Sequence, residues 1–121
     1  MKKKEEGLIY RNDYPVDVIM MVGELSDMNF DSVVRANAFV LVDCYTVWCG
    51  PCKQLTPTIE QFARQHPIVK VFKLDIEKNP KAAQRFGIQS VPTLLFFEKG
   101  QLKDKKSGAL DLSTLKRLYG R

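Results

Sequence analysis

Phe39-Val40-Leu41-Val42-Asp43-Cys44-Tyr45 runs straight into Thr46-Val47-Trp48-Cys49-Gly50-Pro51-Cys52. The first seven residues are rich in β-branched and aromatic side chains and nearly free of polar ones, which suits a central strand buried on both faces. Residues 46–48 then read as a turn. Pro51 fits the first turn of a helix, where a missing N–H costs nothing. Leu55, Ile59 and Phe62 repeat at helical spacing and mark that helix's inner face, Pro57 inside it should kink it, and His66-Pro67 ends it. A strand that feeds a helix through a tight turn is half of a βαβ unit.

Outward from this unit the same alternation continues. Residues 18–22 read as a first strand, and Ser26-Asp27 offers caps for a short helix through Phe30, Val33 and Val34 to about Ala36. Residues 69–76 read as a strand. Asn79-Pro80 is a cap followed by proline at the first helical position, and Gly87 closes a helix over about 80–86. Thr93–Glu98 is a strand that turns at Lys99-Gly100 into a polar strand over 101–106, and Asp111 caps a last helix to Tyr119. The order βαβαβαββα predicts an α/β domain with helices on both faces of one sheet. Residues 1–17 lack periodicity and carry Gly7, Asn12-Asp13 and Pro15, so they read as a flexible N-terminal extension ahead of a domain at 18–121.

Two thiols separated by two residues can close a small disulfide ring when the segment is helical. At the start of a helix the first cysteine, Cys49, meets unpaired backbone N–H groups and the positive end of the dipole. Both stabilise a thiolate and lower its pKa from the free value of about 8.5. The thiolate is the species that attacks a disulfide. Cys52, one turn further in, is shielded but close enough to attack a mixed disulfide, while Gly50 leaves the approach to Cys49 open.

On these residues the chain resembles the thioredoxin family. The stretches in register are Val42-Asp43, Trp48 to Cys52 with Lys53, Lys73-Leu74-Asp75, Phe86-Gly87-Ile88, Val91-Pro92-Thr93, Lys99-Gly100 and Gly108-Ala109, and together they cover most of the chain from Asp17 on. The resemblance implies a thioredoxin fold, a central mixed five-stranded sheet flanked by four helices. It implies a protein-disulfide reductase with Cys49 as nucleophile, Cys52 as resolving thiol and Cys49–Cys52 as the redox-active disulfide. By the same resemblance Asp43 is the buried carboxylate that exchanges a proton with Cys52, and Lys73 stands beside it. Pro92 is a cis-proline facing the disulfide. Trp48, Gly50, Pro51, Val91, Gly108 and Ala109 form a flat apolar surface on which substrates dock. The implied partners are disulfide-containing proteins and a separate thioredoxin reductase, NADPH- or ferredoxin-linked, with no bound cofactor. Cys44, Tyr45, Thr46 and Val47 depart from the family pattern just before the motif, which bears on partner choice.

Other uses of the motif fit these residues less well. Cys44, Cys49 and Cys52 spell a spacing known from iron–sulfur proteins, but a fourth cysteine is missing. Zinc would need His66, about 20 Å away along the helix. No metal is therefore expected. A disulfide oxidase or isomerase of the same family usually carries a histidine between its cysteines, against Gly50-Pro51 here. A non-catalytic thioredoxin-fold binding module would keep its effect without Cys49.

Composition sets the remaining bounds. The 121 residues are 45% hydrophobic and 27% charged, ordinary for one globular domain. The longest apolar runs, five residues as at 18–22, are far short of the ~20 residues that span a membrane. The net charge of +5 lies mostly in residues 98–121, which hold seven basic groups against three acidic ones. That pattern reads as a lysine-protected sheet edge rather than a nucleic-acid surface. Only Leu8-Ile9-Tyr10 follow the Lys2-Lys3-Lys4 start before Arg11, too few for an export signal, so a monomer in the reducing cytoplasm is expected.

Overall fold

The computed structural model describes residues 10–11, 14–15, 22–108 and 110–119. Tyr10–Arg11 (β1) and Tyr14–Pro15 (β2) pair antiparallel as a separate two-residue ladder. The expected flexibility of residues 1–17 otherwise lies outside the described residues. Of the strand expected over residues 18–22, only Val22 is described, and it opens β3, Val22–Glu24.

The rest of the chain follows the order read from the sequence: α1 Phe30–Ala36, β4 Phe39–Tyr45, α2 Gly50–Gln65, β5 Val69–Asp75, α3 Pro80–Arg85, β6 Thr93–Glu98, β7 Gln101–Ser107 and α4 Leu112–Tyr119. The five-stranded sheet runs β3-β5-β4-β6-β7. β3, β5 and β4 are parallel, whereas β6 and β7 are antiparallel. The mixture has a simple cause. Helices α1 and α2 cross over between β3, β4 and β5 and let these run parallel, whereas α3 returns the chain as β6 antiparallel to β4, and the two-residue turn after β6 can only return antiparallel. That turn has Lys99 at φ 52° and Gly100 at φ 82°, the paired positive values that match the twist of a hairpin.

β4 is central, and its residues Val40, Leu41, Val42, Asp43 and Cys44 are all fully buried. Its side chains alternate between two cores. Val40, Val42 and Cys44 enter the layer beneath α1 and α3, with Phe30, Val34, Leu74, Ala82, Leu95 and Phe97. Leu41 enters the opposite layer with Leu55, Ile59 and Phe62 of α2 and Leu115 of α4. Strand parity places Asp43 on that second side. At the edge, β7 is exposed except at Asp104 and carries Lys103, Lys105 and Lys106, which discourage pairing with another chain.

Two caps differ from the reading of the sequence. Asn29, not Ser26 or Asp27, occupies the N-cap position of α1. Asp27 instead caps α3, its carboxylate accepting from Lys81 N at 3.1 Å and Ala82 N at 2.8 Å. Asn79 stands at the N-cap position of α3, yet its side chain makes no capping bond there and accepts from Asp27 N at 2.9 Å. Together these bonds tie the β3–α1 turn to the start of α3. Gly87, at φ 62°, follows α3 in the left-handed conformation, as its place after the helix suggested. Among the described residues no helix is long and apolar enough to cross a membrane.

Candidate active site

The C-terminal end of β4 points the chain at the start of α2. After the turn at Thr46, Cys49 N donates back to Thr46 O at 3.3 Å. Cys49 has extended backbone (φ −87°, ψ 109°) and is the N-cap of α2. Its sulfur accepts from Cys52 N at 3.0 Å, as a capping serine oxygen would. A developing thiolate at that position gains both a backbone donor and the helix dipole. Cys49 and Cys52 are joined in a disulfide with their Cα atoms 5.2 Å apart. Cys49 is half-buried, whereas Cys52 is only 4% exposed. Trp48 is 85% exposed and, with exposed Gly50 and Pro51, flanks the disulfide.

Val91 and Pro92 arrive at the same end of the sheet, because Thr93 pairs with Cys44 of β4. The Val91–Pro92 peptide bond is cis, as the resemblance implied. Pro92 is buried and its carbonyl accepts from Gly108 N at 2.8 Å, which brings Gly108 to the same rim. Ala109 lies outside the described residues.

Asp43 lies deeper. Both its carboxylate oxygens are buried without a hydrogen-bond partner among the described residues. Burial pushes its carboxyl up to about 6, the nearby Lys73 ammonium pulls it back part of the way, and Glu24 adds to the rise. Glu24, Lys73 and Asp43 lie in register across β3, β5 and β4. Lys73 does stand beside the carboxylate, but its hydrogen bond goes elsewhere, to Thr56 Oγ1 at 3.4 Å. Its Nζ also sits 5.0 Å from the centre of the Tyr45 ring, whose hydroxyl donates to Glu24 Oε1 at 3.1 Å. Glu60 faces the same lysine from α2; burial raises its carboxyl and Lys73 lowers it. The sequence marks Asp43 and Lys73 as members of this cluster, but not Thr56, Glu60 or Tyr45. The spacing of Cys52, Thr56 and Glu60 at intervals of four was the available signal.

Among the described residues no group of His, Cys, Asp or Glu side chains is arranged to hold a metal ion. Cys44 is a free buried thiol, 0% exposed in the α1/α3 layer.

Comparison with known proteins bears on the same residues. The thioredoxin family model matches residues 21–119. The thioredoxin of Chlamydia muridarum is 42% identical over 102 residues, which cover 84% of this chain and 98% of that one. The thioredoxin of Rickettsia typhi is 39% identical over 90 residues, 73% of this chain and 86% of its own. Among solved structures, a mutant thioredoxin from Halobacterium salinarum superposes with a TM-score of 0.76 at 35% identity, covering 80% of this chain and 86% of that one. The oxidised mitochondrial thioredoxin 3 of Saccharomyces cerevisiae gives 0.75 at 27% identity, over 83% and 94%. With a closely spaced cysteine pair at the head of α2 and a five-stranded mixed sheet behind it, the chain belongs to the thioredoxin family and is a thiol–disulfide oxidoreductase that reduces protein disulfides.

Proposed function

We propose that Cys49 is the attacking thiolate, Cys52 the resolving thiol, and Asp43 the proton acceptor for Cys52. In the reduced protein the Cys49 thiolate attacks one sulfur of a target disulfide. A mixed disulfide forms, and the target's other sulfur leaves as a thiolate that takes up a proton. Cys52 then passes its proton to the Asp43 carboxylate and attacks the Cys49 sulfur. The target's second sulfur leaves, also to be protonated, and Cys49–Cys52 is left oxidised. Two electrons have moved from the dithiol to the target.

The observation that carries this reading is the unequal pair: Cys49 Sγ caps the helix and accepts Cys52 N–H at 3.0 Å, while Cys52 itself is buried. Asp43 supports the second step, since a carboxyl near 6 is mostly ionised at neutral pH yet basic enough to take a proton. Trp48, Gly50, Pro51, Val91, Gly108 and Ala109 would form the docking surface. An extended target segment at Val91 could bond through its backbone, which asks little of its sequence. Lys73 assists by its charge on Asp43. The oxidised protein is recharged by a separate reductase, NADPH- or ferredoxin-linked, and the chain works as a cytoplasmic monomer with no bound cofactor.

The test is the contrast between two variants. Cys49→Ser should be inactive in disulfide reduction. Cys52→Ser should form a covalent mixed disulfide with target through Cys49 and stop there, seen as a reducible adduct by mass spectrometry. Wild-type turnover by Cys52→Ser would remove the two-thiol cycle.

A further inference from the structure

The disulfide cycle makes no use of Thr56. It stands one helical turn after Cys52, and Glu60 stands one turn after it, so the three share a stripe of α2. The Thr56 hydroxyl donates to Cys52 O at 3.2 Å and accepts from Lys73 Nζ at 3.4 Å. Its single proton is committed to the carbonyl, so an oxygen lone pair is left for the ammonium. Lys73 is thus tied, through one hydroxyl, to the backbone of the resolving cysteine.

The surroundings explain why that tie matters. Two carboxylates feel the charge of Lys73, and neither holds it by a hydrogen bond among the described residues: both Asp43 oxygens and Glu60 Oε2 are buried without a partner. Glu60 is the less buried of the two and sits on the more adaptable side chain. Meeting a cation there costs less desolvation than meeting it at Asp43. An open cleft of about 220 Å³ is lined by Cys52, Thr56 and Lys73, so the lysine borders open space. The other groups facing it are Glu24 from β3, Tyr45 from β4 and Lys53 on the rim of the cleft. β6 places uncharged Leu94 opposite Asp43.

We propose that Thr56 is a positioning residue for the proton-transfer step: it holds the Lys73 ammonium beside Asp43, its register partner on β4, and keeps it from pairing with Glu60. This rests on the reading of Asp43 as the proton acceptor. It assigns the family's lysine–carboxylate pair a third member drawn from the helix that carries the cysteines. Glu60 is the competing site.

The experiment uses the full reduced chain and two readouts. The Asp43 carboxyl is titrated directly by carbon NMR, and the rate of mixed-disulfide resolution is followed across pH. In Thr56→Val the Asp43 midpoint should rise by about one pH unit, as expected when a carboxylate loses a nearby cation. Thr56→Ser should restore the wild-type midpoint, because it keeps the hydroxyl. Thr56→Val with Glu60→Gln should also restore it, because the competitor is gone. Should Thr56→Val fold poorly, Thr56→Ala carries the same expectation without added bulk. An unchanged Asp43 midpoint in Thr56→Val or Thr56→Ala, with only a fall in melting temperature, overturns the proposal and leaves Thr56 a structural helix residue. If the midpoint moves as expected and the resolution profile does not follow it, the positioning stands and Asp43 is not the proton acceptor.

Discussion

Asp43 and Cys44 are neighbours on β4, both fully buried, and they face opposite sides of the sheet. On the α1/α3 side Cys44 is surrounded by apolar side chains such as Val40, Val42 and Leu74. On the α2/α4 side a polar seam of Lys73, Thr56 and Glu60 reaches in toward Asp43. Burial raises both acids, Asp43 to about 6 and Cys44 to about 12. The same physical push has opposite consequences, because the groups start from different places. It moves a carboxyl into the range where proteins work and carries a thiol out of it. Burial alone therefore does not decide whether a titratable group is functional. Its starting pKa and the charge within reach decide it.

The sharpest way to break this contrast is Asp43→Asn. The amide keeps the shape and cannot take a proton, so resolution of the mixed disulfide should slow by ~10²-fold, the usual scale of general acid–base catalysis. Stability should move the other way, with a definite sign. The folded carboxyl binds its proton more tightly than the unfolded one, at about 6 against 3.8. Wild type therefore loses stability as pH rises from about 4 to about 6, and carries the whole penalty above that, on the order of 3 kcal/mol. Asp43→Asn should be the more stable protein at pH 8 and no more stable at pH 4, measured by denaturant midpoints. Equal turnover of the two proteins between pH 6 and 9 would falsify the proton-transfer role.

How much of this was legible in the sequence depended on how local each signal is. β4, α2 and the cysteine pair were legible because an apolar β-rich run, a proline at the first helical turn and two thiols three apart are contiguous features. Asp43 and Lys73 came from the family pattern. The company Lys73 keeps did not, because Glu24, Tyr45 and Glu60 meet it only through the register of β3, β4 and β5 and the pitch of α2. Capping failed for the same reason. By its place in the sequence Asp27 suits a cap for the helix that follows it, while its carboxylate serves backbone donors of α3 more than fifty positions on. That link sits on the Cys44 side of the sheet and should matter to stability alone. Asp27→Ala should cost about 1 kcal/mol, as loss of an N-cap does, with reductase activity unchanged. Asn79→Ala should cost less on top of it than by itself, since the two residues share one network. Additive melting shifts for the pair, or a loss of activity in Asp27→Ala, would contradict a purely structural link.

The smallest effect is expected at Cys44 and tests the other half of the comparison. A thiol pushed up to about 12 by burial, with the Asp43 charge adding to the rise, holds almost no thiolate at neutral pH. It is fully buried among apolar side chains, behaves there as a small hydrophobe, and strand parity turns it away from the Asp43 side. Cys44→Val replaces it with a group of similar volume. Such swaps usually cost under ~1.5 kcal/mol, and reductase activity should stay within about twofold. In the reduced native protein an alkylating reagent should modify Cys49 quickly and Cys44 only when the chain unfolds, because opening the α1/α3 core is the price of access. Peptide mapping of the labelled protein separates the two sites. Rapid native labelling of Cys44, or a dimer linked through it under mild oxidation, would mean that this layer opens on its own. The dry face of β4 would then be no more inert than the wet one.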